Sequence, residues 1–173
     1  MAFIQTGQQW HFDSELALEE VVWRNLPGLL QVEPLQRQFN VEGKVCDLLA
    51  VDSAGQLAII ELKSTEDRYI AQQLARYYDA LRHADKLPFT ADTSHPRLVA
   101  ISPSFHTDTL IDCRYSTLDI ALLTFRLAAI AKDITLSLHD ASGTQVSDLH
   151  LPEALNVAKP EIEVPEPPRK LLN

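Results

Sequence analysis

Two carboxylates and an ammonium, Asp47, Glu61 and Lys63, stand in or directly beside two otherwise apolar runs, residues 45–51 and 57–62. Apolar runs of this length, separated by Asp52-Ser53-Ala54-Gly55-Gln56, read as two strands joined by a tight turn. Alternation puts Val45, Leu49, Val51, Leu57 and Ile59 on one face and Leu48, Ala50, Ala58, Ile60 and Leu62 on the other. Strands apolar on both faces belong in the middle of a covered sheet. Gly55 suits the left-handed position that closes a three-residue loop, Ser53-Ala54-Gly55, and in that register Asp47 lies opposite Glu61. A two-residue loop at Ala54-Gly55 would instead put the two carboxylates on opposite faces. Lys63 follows Glu61 by two and shares its face.

Facing carboxylates repel and lose hydration, so an unaided pair would neutralise. A divalent cation resolves the conflict. Asp and Glu oxygens suit Mg²⁺ or Mn²⁺, and a neighbouring lysine can hold an attacking water or offset charge on a phosphate. For so short a pattern the plainer alternative is a buried Asp–Lys–Glu ion-pair cluster without chemistry.

The flanks carry the pattern further. Ser14-Glu15 opens a helix before the hairpin, and Gln73-Leu74-Ala75-Arg76-Tyr77 sits on a helix after it. The order Glu, Asp, Glu-x-Lys, Gln-x-x-x-Tyr resembles the RecB-like branch of the PD-(D/E)XK nuclease superfamily. It is most similar to the nuclease domain of NucS-type endonucleases, over residues 13–81 and more loosely over 97–102. The resemblance implies that Asp47 and Glu61 bind Mg²⁺ or Mn²⁺, with the Leu62 carbonyl as a further ligand and Glu15 completing the acidic cluster. Glu19, one turn along the same helix, is the fallback for Glu15. Lys63 would orient or activate water, and Gln73 and Tyr77 would support the site or touch the phosphate backbone. It further implies a restriction-endonuclease-like α/β sandwich, a mixed central sheet flanked by helices with an αβββαβ core, and products ending in 5′-phosphate and 3′-hydroxyl. Cys46 stands where the superfamily's eponymous proline falls. About a dozen residues precede the first helix, so the separate N-terminal DNA-binding domain of archaeal NucS proteins is not expected here.

Along the chain, a helix over 14–25 is expected to stop at Pro27-Gly28, followed by a strand over 35–41 and the hairpin. A second helix is expected over 66–83. Beyond it the sequence suggests a strand at 98–102, a helix at 107–116 and strands at 120–127 and 134–139. Residues 1–150 read as one domain. Residues 151–173 hold five of the chain's ten prolines and read as an extended or disordered tail. Its terminal Arg169-Lys170-Leu171-Leu172 is a candidate docking peptide for a partner protein, a frayed end being the plainer reading.

A net charge of −9 argues against a nucleic-acid enzyme, because phosphate binding needs positive surface. Part of that acidity belongs to the site, however. Arg68, Arg76, Arg82 and Lys86, on or just after the second helix, form the candidate DNA-binding face, set against the alternative of a solvated helix surface. The histidines show no ligand spacing, which argues against zinc. Two cysteines, Cys46 and Cys113, give no disulfide framework, and no signal-peptide pattern or membrane-length apolar run is visible, so a cytoplasmic protein away from membranes is expected. The expected activity is that of a Mg²⁺-dependent deoxyribonuclease. Its rivals are a non-cleaving module of the same fold that binds DNA or protein, and a Holliday-junction-type resolvase acting as a homodimer. Intact Asp47, Glu61 and Lys63 argue against the first rival.

Overall fold

The computed structural model describes residues 2–84 and 86–152. A hairpin of β1 (Phe3–Thr6) and β2 (Gln9–Phe12) precedes α1 (Glu15–Arg24) and the short α2 (Leu26–Leu30). Ser14 caps α1, its hydroxyl accepting the Ala17 N–H at 3.2 Å. Pro27-Gly28 does not end that helix: α1 stops at Arg24, and Pro27 sits in the first turn of α2, where its missing N–H costs no hydrogen bond.

The meander β3 (Glu33–Val41), β4 (Lys44–Val51) and β5 (Gln56–Leu62) follows. After it come α3 (Ile70–His83), β6 (Asp92–Ser102), α4 (Thr107–Tyr115), β7 (Ile120–Ile130), β8 (Asp133–His139) and β9 (Gln145–Leu151). Seven strands form one mixed sheet in the order β3-β4-β5-β6-β7-β8-β9, parallel at β5–β6 and β6–β7 and antiparallel elsewhere. The hairpin β1–β2, α1 and α2 cover one face through Phe3, Phe12, Leu18, Val22, Leu26 and Leu29. The other face lies under α3 through Ile70, Leu74, Tyr77, Ala80 and Leu81, with Cys113 of α4 packed alongside. This is the expected α/β sandwich, and β4 and β5, apolar on both faces, lie inside it.

Helix α3 begins at Ile70 rather than near residue 66, because the Asp67 carboxylate takes the Tyr69 N–H at 2.6 Å and holds the approach in a turn. Leu151, expected to open the tail, closes β9 instead; the tail from residue 153 lies outside the described residues. None of the described helices is long and apolar enough to cross a membrane.

The β4–β5 hairpin has the three-residue loop. Val51 pairs with Leu57, Ala50 with Ala58, Leu49 with Ile59 and Leu48 with Ile60. Gly55, at φ +83°, donates its N–H to the Asp52 carbonyl at 3.0 Å, and the Asp52 carboxylate accepts from Ala54 and Gln56 at 2.9 Å each.

One level of the sheet breaks the alternation. On β3, Arg37 reaches α1 while Phe39 packs on the α3 side; on β4, Leu48 lies in the core under α1 while Cys46 lies in the core under α3. Residues two apart thus face opposite ways, and between them stand Gln38 and Asp47. The β3–β4 ladder runs from Arg37↔Leu48 to Phe39↔Cys46 around Gln38, which holds a left-handed φ of +47°. Val45, expected inside beside Leu49, is therefore 47% exposed, and Cys46 occupies the inner place.

Candidate functional site

The site is built at the C-terminal end of β5. Glu61 is 6% exposed, and its Oε1 lies 3.4 Å from Lys63 Nζ. The same ammonium lies 3.7 Å from Glu15 Oε1, while Glu15 Oε2 accepts the Ser64 N–H at 3.4 Å. Glu15, at the start of α1, is thus drawn in through Lys63. The hairpin register extrapolates to Asp47 beside Glu61, as expected, but the β4–β5 ladder ends at Leu48↔Ile60. Beyond it Asp47 Oδ2 accepts the Leu62 N–H at 2.8 Å, in the place of a strand carbonyl, and Oδ1 accepts from Gln38 Nε2 at 3.2 Å.

Burial holds both carboxylates toward their neutral forms. Burial, and then the nearby Asp47 charge, push the Glu61 carboxyl up to about 7 from the usual 4.5, against the pull of Lys63. Asp47 is also raised, by burial, although the Leu62 N–H, Lys63 and Gln38 favour its charged form. Burial works to lower Lys63, but Glu61, Glu15 and Asp47 outweigh it and leave the ammonium harder to deprotonate. Buried Cys46 is raised well above the ordinary thiol value, by burial and then by Glu61 and Asp47, so it packs as an inert small hydrophobe.

Glu61 also borders a cleft of about 320 Å³ lined by Lys44, Val45, Gln73, Arg76 and Tyr77. Gln73 and Arg76 thus face the space in front of Glu61. Tyr77 does so with its ring only, since its hydroxyl donates to the Phe39 carbonyl at 3.1 Å and the residue is 3% exposed. That places Tyr77 as a brace between α3 and β3. Tyr77→Phe should lower stability by about 1 kcal/mol, measured by urea denaturation.

The four expected cations do not share one face. Arg68 precedes α3 and pairs with Asp108 at 2.8 Å, Arg82 lies over the Tyr78 ring at 5.9 Å, and Lys86 is exposed beyond the end of α3. Arg76 lines the cleft, and the cation facing it there is Lys44, which the sequence pattern does not single out. Lys44 opens the strand that carries Asp47, a proximity that could have marked it. Glu19 is the other acid of α1, and it turns away from Lys63: 4% exposed, it binds Arg37 Nε at 2.8 Å and Gln38 Nε2 at 2.6 Å.

The donor set fits a hard cation. Asp47 and Glu61 are desolvated carboxylates whose mutual repulsion a positive ion would relieve. Among the described residues, no three His, Cys, Asp or Glu side chains converge as a cage. The protein ligands would be these two carboxylates with the Leu62 carbonyl, the remaining positions falling to water, an arrangement Mg²⁺ favours.

No family model matches the chain. Over 79 residues it is 32% identical to the endonuclease NucS of Pyrococcus furiosus, a stretch covering 43% of this chain and 29% of that protein. A repair endonuclease from Pyrococcus abyssi shares the fold with a TM-score of 0.51 at 20% identity, covering 62% of this chain and 46% of the other. EndoMS, solved in complex with double-stranded DNA, gives a TM-score of 0.53 at 21% identity, covering 64% and 44%. The chain spans less than half the length of each. It is similar, partially and at a distance, to the NucS and EndoMS endonucleases, whose mixed sheet flanked by helices it shares.

Proposed function

We propose that this chain is a divalent-cation-dependent nuclease that hydrolyses phosphodiester bonds in DNA. The observation that carries the reading is the desolvated pair Asp47 and Glu61 with Lys63 3.4 Å from Glu61, Glu61 also lining a cleft that presents Lys44 and Arg76. The likeness to NucS supports the reaction class, and the DNA complex of EndoMS supports the substrate. Held by Asp47, Glu61 and the Leu62 carbonyl, Mg²⁺ or Mn²⁺ would polarise a phosphoryl oxygen and lower the pKa of bound water.

The chain's own groups do the rest. Lys63, kept charged by Glu61 and Glu15, donates hydrogen bonds to the attacking water and holds it in line. Glu15, half exposed, restrains that ammonium from the α1 side. Gln73 offers an amide to the strand lying in the cleft. Lys44 and Arg76 neutralise phosphates on either side of the acidic end, which allows a chain of net charge −9 to meet DNA locally.

Purified protein incubated with single-stranded, duplex, mismatched and branched DNA should cut at least one of them in Mg²⁺ or Mn²⁺, and none in EDTA. Cutting that persists in EDTA, or no cutting of any substrate with either metal, would refute the proposal. Neutralising both cleft cations, Lys44→Ser with Arg76→Ser, should weaken DNA binding. It should also flatten the dependence of log affinity on log salt by about 2, roughly 0.9 for each phosphate no longer neutralised. A salt titration followed by fluorescence anisotropy measures both, and an unchanged slope would place the DNA path elsewhere.

A further inference from the structure

We infer that Gln38, which no motif marks, is the positioning residue that fixes the Asp47 carboxylate, with Glu19 as its anchor; this rests on the metal-binding reading above. One amide nitrogen bridges the two acids: Gln38 Nε2 lies 2.6 Å from Glu19 Oε2 and 3.2 Å from Asp47 Oδ1. An amide NH₂ has two hydrogens, so each carboxylate receives one. Glu19 is itself held on more than one side. It is 4% exposed and is gripped by Arg37 at 2.7 and 2.8 Å, while Arg37 also binds Glu20 at 2.6 Å and lies over the Trp23 ring at 5.7 Å. An unbroken chain of polar groups therefore runs from the packed face of α1 to Asp47.

A second observation points the same way. Gln38 is held at φ +47° within a strand, where a residue with a side chain is strained and persists only if its surroundings over-determine it. This left-handed residue stands where β3 and β4 change faces, beside Asp47. With Leu62 N–H on Oδ2 and Gln38 on Oδ1, both Asp47 oxygens are oriented, and each retains lone-pair capacity. The chemistry of the donor matters. A lysine or arginine in this position would neutralise Asp47 and compete with the cation, and a glutamate would repel it. A neutral amide orients the carboxylate and leaves its charge for the metal.

The test compares Mn²⁺ binding alone, read from the electron paramagnetic resonance signal of free Mn²⁺, in the full chain and in Gln38→Gly. Glycine accepts φ +47° without strain, which offsets the hydrogen bond lost to Glu19, so the variant should still fold while Mn²⁺ affinity falls about tenfold or more. Cleavage at saturating Mn²⁺ should recover most of the wild-type rate, which separates positioning from chemistry. If the glycine variant folds poorly, Gln38→Asn carries the same comparison, since asparagine tolerates the left-handed backbone and its amide falls a methylene short of both carboxylates. Wild-type Mn²⁺ binding with unchanged affinity in the folded variant would overturn this inference alone. A lower melting temperature with unchanged affinity would also overturn it, by making Gln38 merely structural. A wild type that binds no Mn²⁺ would overturn the metal reading and this inference with it.

Discussion

Replacing Glu61 by glutamine should abolish cleavage and yet leave the metal-free protein more stable at alkaline pH. In the fold the Glu61 carboxyl holds its proton to about pH 7, against 4.5 for an ordinary glutamate. Between those values the folded chain keeps a proton that the unfolded chain has released. Stability contributed by this group therefore falls as pH rises from about 4.5 and is fully lost above about 7. The loss is about 3 kcal/mol, and Asp47, shifted in the same direction by burial, adds to it. Glutamine resembles the protonated acid and does not titrate. Urea denaturation in EDTA should thus give similar stabilities for the two proteins near pH 5 and a clear advantage for Glu61→Gln at pH 8. Adding Mg²⁺ at pH 8 should stabilise the wild type selectively. Cleavage should fall by at least about 10³-fold, the scale of the several kcal/mol that a metal supplies to the transition state. Parallel stability profiles in EDTA would show that Glu61 is not strained, and preserved cleavage would remove it from the site.

Lys63→Met should separate turnover from metal binding. The ammonium does not ligate a cation, so Mn²⁺ should still bind, and bind at least as well once a competing positive charge is gone. Cleavage should nevertheless drop by about 10²-fold, the scale of losing a group that holds the attacking water in line. The metal-free protein should also lose about 3 kcal/mol at pH 8, because Glu61 is left buried without its partner. That loss should shrink toward pH 5, where Glu61 is protonated in the fold. A Lys63→Met protein that cleaves at the wild-type rate would make Lys63 a structural ion-pair member only.

Much of this was legible in the sequence because it depends on local rules. Gly55 requires a left-handed loop position, which fixes the register of β4 on β5 and brings Asp47 to the level of Glu61. Two-sided apolar strands belong inside a sandwich, and Leu48, Leu49, Ile59 and Ile60 are all fully buried. The misses have physical causes. The β1–β2 hairpin is polar and mostly exposed, so it carries little periodic signal, and it is held by Phe3 stacked on Phe12 and Phe12 on Phe125 of β7. Strand β9 lies at the sheet edge, where its alternation is half-buried and weak. Pro27-Gly28 looked like a stop because proline breaks helix interiors, whereas in a first turn it fits. Arg68 looked helical until the Asp67 side chain took the N–H that would have begun an earlier turn.

The break at Gln38 and Asp47 was the hardest to read. Glutamine carries no left-handed signal, so nothing local announced that β3 and β4 would change faces there. The same break places the Gln38 amide on Asp47 and the Tyr77 hydroxyl on the Phe39 carbonyl. The spacing of Asp47, Glu61 and Lys63 could be read from the sequence, but the contacts of Gln38 with Glu19 and Asp47 arise from tertiary packing between α1 and β3.

The most direct measurement is a Mn²⁺ titration of the full chain beside Asp47→Asn and Glu61→Gln, with each protein's fold checked by circular dichroism. A cation should bind to the wild type and be absent or greatly weakened in both folded variants, since each removes one of the two carboxylates that would hold it. If both folded variants bind Mn²⁺ as the wild type does, or the wild type binds none, Asp47 and Glu61 are a buried ion-pair cluster and not the metal site of a nuclease.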